Sequence, residues 1–373
     1  MEDKKNVLFE EMKKRNLSLV FIPIILILMI SGCMEFFTVD DGSTTYEPHP
    51  TKISYTITYG YNITCTGTGG FTVNYDCDTP DIIGTGSVLI SILNDEYEDK
   101  TVATYNTVKS WDITKEYCAD LLLGLTANVE AESFIVGDLN GANALTIQQI
   151  QQQHPEIVDQ YCHIQSNETT TFINPDESNI RTEALEIYNN GGTDNAFIVA
   201  KNIFIWLKQN TTYQTHNDNI IQTAPQTYSE ETGDCDDLTY LYISLCRAVN
   251  IPARFIRGYL IEETNAIAHA WAEIYVGESL GNNGWIPVEC AGTSSNINVE
   301  IHQNFAIETA DHLRLFTDDG SDQSLIASMS GISYTYDDTV QLQSPESIAK
   351  VTNYQVLQSN ELYIDKNGNR AYK

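Results

Sequence analysis

Apolar residues recur along the chain first with the alternation typical of strands and then with the spacing typical of helices. This change divides the chain into a β-rich part and a more helical part. From Lys52 to about Trp111 apolar and polar positions alternate, most clearly between Ile53 and Tyr59, as expected for strands with one buried face. Further alternating stretches lie at 71–75, 87–93 and 101–108. The pattern predicts a β-rich N-terminal domain over 52–112, an antiparallel sheet folded as a small sandwich.

Helical spacing dominates the middle of the chain. We predict a helical connector over 113–171, with helices at 115–125 and 146–153, and two amphipathic helices at about 178–188 and 195–208. A further helix begins at Cys235, where apolar residues continue at helical spacing to Val249. It ends near Asn250, because Pro252 disfavours helical geometry at the residue before it. The overall expectation is an α+β protein.

Two strands and a turn follow this helix at a spacing that suggests chemistry. His269, Trp271 and Glu273 alternate with small or apolar residues and so share one face of a strand. A turn at 281–284 leads into a second strand ending at Glu289. If the two strands are antiparallel neighbours, Glu289 lies beside His269.

Cys235, His269 and Glu289 offer a nucleophile, a base and a carboxylate that orients the base. Asp234 is the predicted N-cap, so Cys235 lies in the first helical turn, where backbone N–H groups stabilise a thiolate. Taken singly, a cysteine before a helix or a histidine on a strand is more often structural. The two tryptophans nearby, Trp271 and Trp285, are expected to be core or site walls.

The motif set resembles the transglutaminase-like (papain-like) superfamily. It comprises G-D-C-x-D at 233–237, R-x-x-x-I-P-A-R at 247–254, G-Y at 258–259, H-A-W at 269–271, W-x-P-V-E at 285–289 and a following D-H-L at 311–313. The resemblance covers about 172–338 and implies a papain-like catalytic domain with Cys235 as nucleophile and His269 as base. Glu289 stands where the family usually has Asp.

The resemblance implies a thiol enzyme that acts on amide or peptide bonds through an acyl-enzyme and needs no cofactor. Peptidase or amidase action on cell-surface or wall peptides is the leading expectation. Protein cross-linking by acyl transfer is an alternative, as is a catalytically silent binding or structural module. No C-x-x-C or H-E-x-x-H spacing indicates a metal site.

The first 33 residues have the layout of an export signal. Lys13, Lys14 and Arg15 precede an apolar run from Leu17 to Ile30, and the segment ends at Cys33. It resembles a lipoprotein signal with Cys33 as the lipidated residue; an uncleaved anchor is the alternative. We therefore expect a tether at 34–51, membrane attachment through the N-terminal segment, and a location on the outer face of the cytoplasmic membrane.

The net charge of the chain indicates which classes of partner it can bind. The chain carries 51 acidic and 20 basic residues, a formal charge of −31, so nucleic-acid binding is not expected. A protein or peptide at the cell surface is the expected substrate.

Eight cysteines fit an exported protein. Setting Cys33 and Cys235 aside leaves six, an even number suited to disulfides. Cys65 with Cys77, across a hairpin, and Cys118 with Cys162, across a longer loop, are candidate pairs; the sequence leaves the connectivity open, including that of Cys246 and Cys290. Beyond the catalytic region, 339–373 is a C-terminal segment.

Overall fold

The computed structural model describes residues 36–38, 42–162, 172–215, 221–321, 325, 331–342 and 346–373. The predicted signal segment and Cys33 lie outside these residues. Among the described residues, no helix is long and apolar enough to cross a membrane.

The helices within the described residues are α1 Ile147–Gln153, α2 Pro155–Cys162, α3 Ser178–Gly191, α4 Ala196–Asn210, α5 Ala224–Glu230, α6 Cys235–Ala248 and α7 Ile297–Asn304. The strands are β1 Phe36–Thr38, β2 Thr44–Tyr46, β3 His49–Ile63, β4 Cys65–Gly67, β5 Phe71–Asp78, β6 Gly86–Ile92, β7 Glu98–Val102, β8 Asn106–Lys115, β9 Leu121–Glu132, β10 Phe134–Ile135, β11 Thr212–Tyr213, β12 Thr232–Gly233, β13 Ala253–Ile261, β14 Ala266–Tyr275, β15 Trp285–Val288, β16 Ile307–Glu308, β17 His312–Thr317, β18 Ser333–Tyr336, β19 Val340–Leu342, β20 Glu346–Asn360, β21 Leu362–Ile364 and β22 Arg370–Tyr372.

Two antiparallel sheets form the predicted β sandwich. One has the strand order β20-β3-β9-β6 and the other β18-β5-β8-β7. Their inner faces meet in one core, where Ile57 and Leu123 of the first sheet and Val73 and Trp111 of the second are buried. The alternation of apolar residues places one face of each strand in this core.

The sandwich is larger than the sequence predicted. The helix expected at 115–125 is wrong, because this stretch ends β8 and begins β9, and the connector is helical only from Ile147. The C-terminal segment is not separate: β20 pairs along β3, with Val351 opposite Ile57. The predicted tether likewise contains β2 and the start of β3. Strands from both ends of the described chain therefore build the same unit.

A third antiparallel sheet, β15-β14-β13-β17, packs against α6, and α3 and α4 pack on α6. The helix predicted after Cys235 is confirmed, as are the two amphipathic helices before it. Leu241 and Leu245 of α6 are fully buried. After α6 the chain turns through Asn250 in a left-handed conformation, φ 60°, and enters β13.

The sandwich and the unit formed by the sheet β15-β14-β13-β17 and its helices share a hydrophobic core. Ala310, Leu313 and Leu315, around β17, belong to the hydrophobic cluster of the sandwich. Arg257 of β13 donates to Asp78 of β5 at 2.5 Å. The sheet that carries His269 is therefore supported from behind by the sandwich.

The predicted disulfide pairs are wrong. Cys65 is bonded to Cys118, and Cys77 and Cys162 are free and buried. Ile63 at the end of β3 pairs with Leu121 at the start of β9, so the residues just beyond these ends meet. Cys77 instead points into the sandwich core, and Cys162 belongs to the core beneath α6. Cys246 and Cys290 are free as well.

Candidate active site

Cys235 is the first residue of α6, as predicted, and its side chain is half-buried. Asp234 is the N-cap in extended conformation, and its backbone N–H donates to Asp237 Oδ2 at 3.2 Å. The other oxygen of Asp237 accepts from the Gln222 N–H at 2.7 Å, which ties the start of the helix to the preceding segment. The free N–H groups of the first turn surround the thiol with positive potential.

Strands β14 and β15 bring His269 and Glu289 together. Ala272 pairs with Val288, and the imidazole Nε2 of His269 donates to Glu289 Oε2 at 2.6 Å. The second oxygen of Glu289 accepts from the Ala291 N–H at 2.6 Å. The predicted antiparallel arrangement is therefore present, and the longer Glu side chain reaches the ring directly.

The thiol completes the constellation. The thiol of Cys235 lies close enough to His269 to raise the pKa of its imidazole, and because Nε2 faces Glu289, Nδ1 is the nitrogen left for the sulfur. Burial opposes a charge on His269, but the Glu289 carboxylate and the thiol contact outweigh it and raise its pKa to about 9. Burial likewise opposes a charge on Glu289, yet the two imidazoles beside it hold its pKa well below the usual value.

His312 is a fourth member that the sequence reasoning placed only in a motif. Its Nε2 donates to the same Glu289 Oε2, at 3.2 Å. Its Nδ1 faces Thr309 Oγ1 at 2.9 Å and Asp311 Oδ1 at 3.2 Å. Despite the burial that opposes a charge, the carboxylates of Asp311 and Glu289 raise the pKa of His312 to about 10.

A buried ionic network underlies the strand that carries His269. Trp271 lies roughly parallel to the His269 ring, with centroids 6.0 Å apart, and its Nε1 donates to Glu308 at 2.9 Å. Arg314 binds both Glu308 and Glu273, the latter at 2.6 Å. Trp271 and Trp285 are buried, as core residues.

Two further groups lie close to the sulfur. β11 pairs with β12 so that Tyr213 stands beside Gly233, and burial, with the charges of Cys235, Asp234 and Glu289, raises the pKa of Tyr213 to about 12. Burial and a hydrogen bond to Asp234 raise the pKa of Asp236 to about 8. Tyr213 lay outside every sequence motif, and only strand pairing places it here.

Within the part of the chain that the structure describes, two sets of side chains have the spacing for a cation. The ligand atoms of His269, Glu289 and His312 lie within 4.8 Å of one another, as do those of Asp234, Cys235 and Asp236. In the first set both imidazole nitrogens already donate to the carboxylate. A metal there would have to displace two protons whose sites have raised pKa values.

Comparisons with known proteins find a family resemblance in the part of the chain that carries Cys235, His269 and Glu289. Residues 185–290 match the sequence model of the transglutaminase-like superfamily, a range that includes Cys235, His269 and Glu289 but not His312. An uncharacterised Bacillus subtilis protein, YebA, is 29% identical over 135 residues, which is 31% of this chain and 18% of that protein. The chain thus spans less than a fifth of the length of this relative.

Solved structures show where the fold recurs. A candidate cysteine protease from Cytophaga hutchinsonii superimposes with a TM-score of 0.50 at 17% identity, covering 88% of this chain and 99% of that one. The periplasmic domain of TgpA from Pseudomonas aeruginosa gives a TM-score of 0.32 at 11% identity, over 65% of this chain and 88% of that one. The first likeness covers the sandwich as well as the thiol-bearing unit.

Proposed function

Residues 185–290 form a transglutaminase-like domain, and from this premise we propose that the chain is a thiol hydrolase that cleaves amide bonds in peptides at the cell surface. The observation that carries the proposal is the chain of contacts from Cys235 through His269 to Glu289, closed by a 2.6 Å hydrogen bond. A nucleophile, a base and a group that orients the base are what amide hydrolysis requires.

The first half of the reaction forms an acyl-enzyme. The Cys235 thiolate attacks the amide carbon, and a C–S bond forms. The backbone N–H of Cys235 is the natural donor to the developing oxyanion. The imidazolium of His269 then gives its proton to the departing amine as the C–N bond breaks.

The second half regenerates the thiolate. His269, now neutral, takes a proton from water as the water oxygen attacks the thioester carbon. The C–S bond breaks, the acid leaves, and the proton on His269 restores the imidazolium beside the thiolate. Glu289 keeps the ring in the orientation in which Nδ1 faces the sulfur.

Two features support the proposed setting at the cell surface. The apolar run ending at Cys33 has the layout of an exported lipoprotein, and a disulfide between Cys65 and Cys118 suits an oxidising compartment. Hydrolysis is proposed over cross-linking because water is always available and no acceptor-amine site is evident among the described residues.

Mass spectrometry of reaction products tests the proposal. The protein is incubated with Gln- and Lys-bearing peptides and with isolated wall material. Cleavage, or ammonia loss with a mass gain of about 1 Da, is expected in the wild type and in Cys77→Ala, a matched loss of a buried thiol, but not in Cys235→Ala. Joined peptides would replace hydrolysis by acyl transfer. An unreactive Cys235 together with unchanged substrates would leave a binding or structural module.

A further inference from the structure

Glu289 Oε2 is shared by two imidazoles, which a three-residue catalytic centre does not require. His269 donates to it at 2.6 Å and His312 at 3.2 Å. We propose that His312 is a positioning residue for the thiol chemistry, acting through Glu289 to keep its carboxylate aimed at His269. This inference rests on the proposed function of Cys235 and adds a fourth residue to it.

His312 is itself held in place from several directions. It begins β17 and pairs with Leu260 of β13, so its backbone is part of the sheet. The hydroxyl of Thr309 donates to Asp311 and accepts from Nδ1 of His312 at 2.9 Å. The His312 ring stands edge-on to Trp271, with centroids 4.9 Å apart and planes at 85°. Its exposure is 9%, so it has little freedom to turn away.

Both nitrogens of His312 therefore act as donors, which is the protonated form of the ring. Nε2 points to Glu289 and Nδ1 to Thr309 and Asp311. A fixed cation beside Glu289 keeps that carboxylate ionised while His269 gains and loses its proton. The charged and titratable groups that face His312 come from three elements: His269 of β14, Glu289 after β15 and Asp311 before β17.

The side chain at position 289 explains why a second donor is useful. Glu has one more rotatable bond than Asp, and holding a long side chain in one rotamer costs up to about 2 kcal/mol. The Ala291 N–H fixes Oε1, and His312 fixes Oε2, so the carboxylate cannot rotate away from His269. The second imidazole compensates for the freedom that the extra methylene introduces.

Two substitutions at position 312 separate its donor from its charge. His312→Gln keeps an N–H donor to Glu289 but removes a positive charge whose ring lies 5.7 Å from that of His269. The imidazolium of His312 lowers the pKa of His269, so its removal is expected to raise that pKa. His312→Leu removes the donor as well as the charge. The loss of the donor frees Glu289, whose charge is the largest of the effects that raise the pKa of His269, to turn away. This loss should outweigh the removed repulsion and lower the pKa of His269.

The test follows the alkylation of Cys235 by iodoacetate, with the site identified by peptide mapping, because this readout needs no substrate. The anionic reagent is attracted by the His269 imidazolium, and its rate falls as that proton is lost at alkaline pH. We expect the fall to move to higher pH in His312→Gln and to lower pH in His312→Leu. His312→Leu should also react about 10-fold more slowly at neutral pH.

His302→Gln is the matched control, since its ring bonds Tyr46 at 2.8 Å and not Glu289; its profile should equal that of the wild type. If His312 were purely structural, its substitution would reduce the yield of folded protein without moving the alkaline limb, the fall of the alkylation rate at alkaline pH. Unchanged profiles in both His312 variants, with Cys235 still reactive, overturn the proposal and leave the proposed function standing. A Cys235 that is inert in every variant overturns the proposed function itself.

Thr309→Val gives a second route if the His312 variants do not fold. It removes the hydroxyl that accepts from His312 Nδ1 while keeping a side chain of similar shape. The alkaline limb should move in the same direction as in His312→Leu, by a smaller amount. A folded Thr309→Val protein with a wild-type profile counts against the positioning role.

Discussion

Glu289 is the residue on which the properties of the centre converge. Its two oxygens accept three hydrogen bonds, from His269, His312 and the Ala291 N–H, and burial makes each of them stronger than in water. The result is a His269 that remains protonated up to a pH of about 9, the state that stabilises a thiolate. The sequence placed Glu289 correctly but gave no reason for an extra methylene.

Glu289→Gln and Glu289→Asp test this at single-residue scale. The amide keeps the size but loses the charge, so His269 binds its proton less tightly and the thiolate loses its partner. We expect the Cys235 alkylation rate at neutral pH and kcat/KM to fall by about 10²–10⁴-fold. Glu289→Asp retains the charge on a side chain one methylene shorter and should lose less. Equal activity in all three proteins would remove Glu289 from the mechanism.

At the scale of elements, β14 is held by charge as well as by packing. Glu273 is fully buried between Arg254 and Arg314, with hydrogen bonds of 2.7 and 2.6 Å. Burial disfavours its charged form, but the two guanidinium groups outweigh this and lower its pKa to about 2. Because β14 also carries His269, this network helps to hold the imidazole in position relative to Cys235 at the start of α6.

Glu273→Gln should destabilise the protein by about 3–5 kcal/mol, because Arg254 then loses its ionic partner and the buried Arg314 keeps only Glu308. The depressed pKa means that the contribution of Glu273 is present above its unfolded value near 4.5 and is lost as pH falls through about 2. Denaturant unfolding at neutral pH measures the loss. Glu130→Gln, in a surface pair with Lys52, is the control and should change stability by less than about 1 kcal/mol.

Helices and strands with a regular spacing of apolar residues could be predicted from the sequence, whereas contacts between residues distant in the sequence could not. The helix after Cys235 and the face shared by His269 and Trp271 followed from spacing alone. The helix expected at 115–125 was wrong although a signal existed: residues 121, 123, 125, 127, 129 and 131 are all buried, at a period of two. His312 meets Glu289 across 23 residues, and no periodicity encodes such a contact.

At the scale of the whole molecule, the end of the chain holds the thiol-bearing unit to the sandwich. β20 pairs with β3 along most of its length. The residues of β20 are mainly exposed, and their weak apolar–polar alternation did not predict this strand. Arg370 of β22 is 3% exposed and donates to the carbonyl groups of Val136, His302, Phe305 and Ala306. These carbonyls include the end of α7, where a cation is favourable.

Arg370→Met should therefore leave several buried carbonyl groups without donors. We expect a loss of about 3–5 kcal/mol in the free energy of unfolding, measured by denaturant titration. Lys366→Met, in the turn before β22, removes a cation without a buried partner and should leave stability unchanged. A stable Arg370→Met protein would mean that the C-terminal strands are dispensable.

The most direct test of the account is the reactivity of the thiols in the folded protein. Among Cys77, Cys162, Cys235, Cys246 and Cys290, only Cys235 is not buried and only Cys235 contacts an imidazole. Iodoacetamide followed by peptide mapping should modify Cys235 alone, at neutral pH faster than an ordinary thiol reacts, and this rate should collapse in His269→Gln. Modification of Cys235 at the rate of an ordinary thiol, unchanged in His269→Gln, would contradict a thiolate–imidazolium pair and with it the enzymatic function.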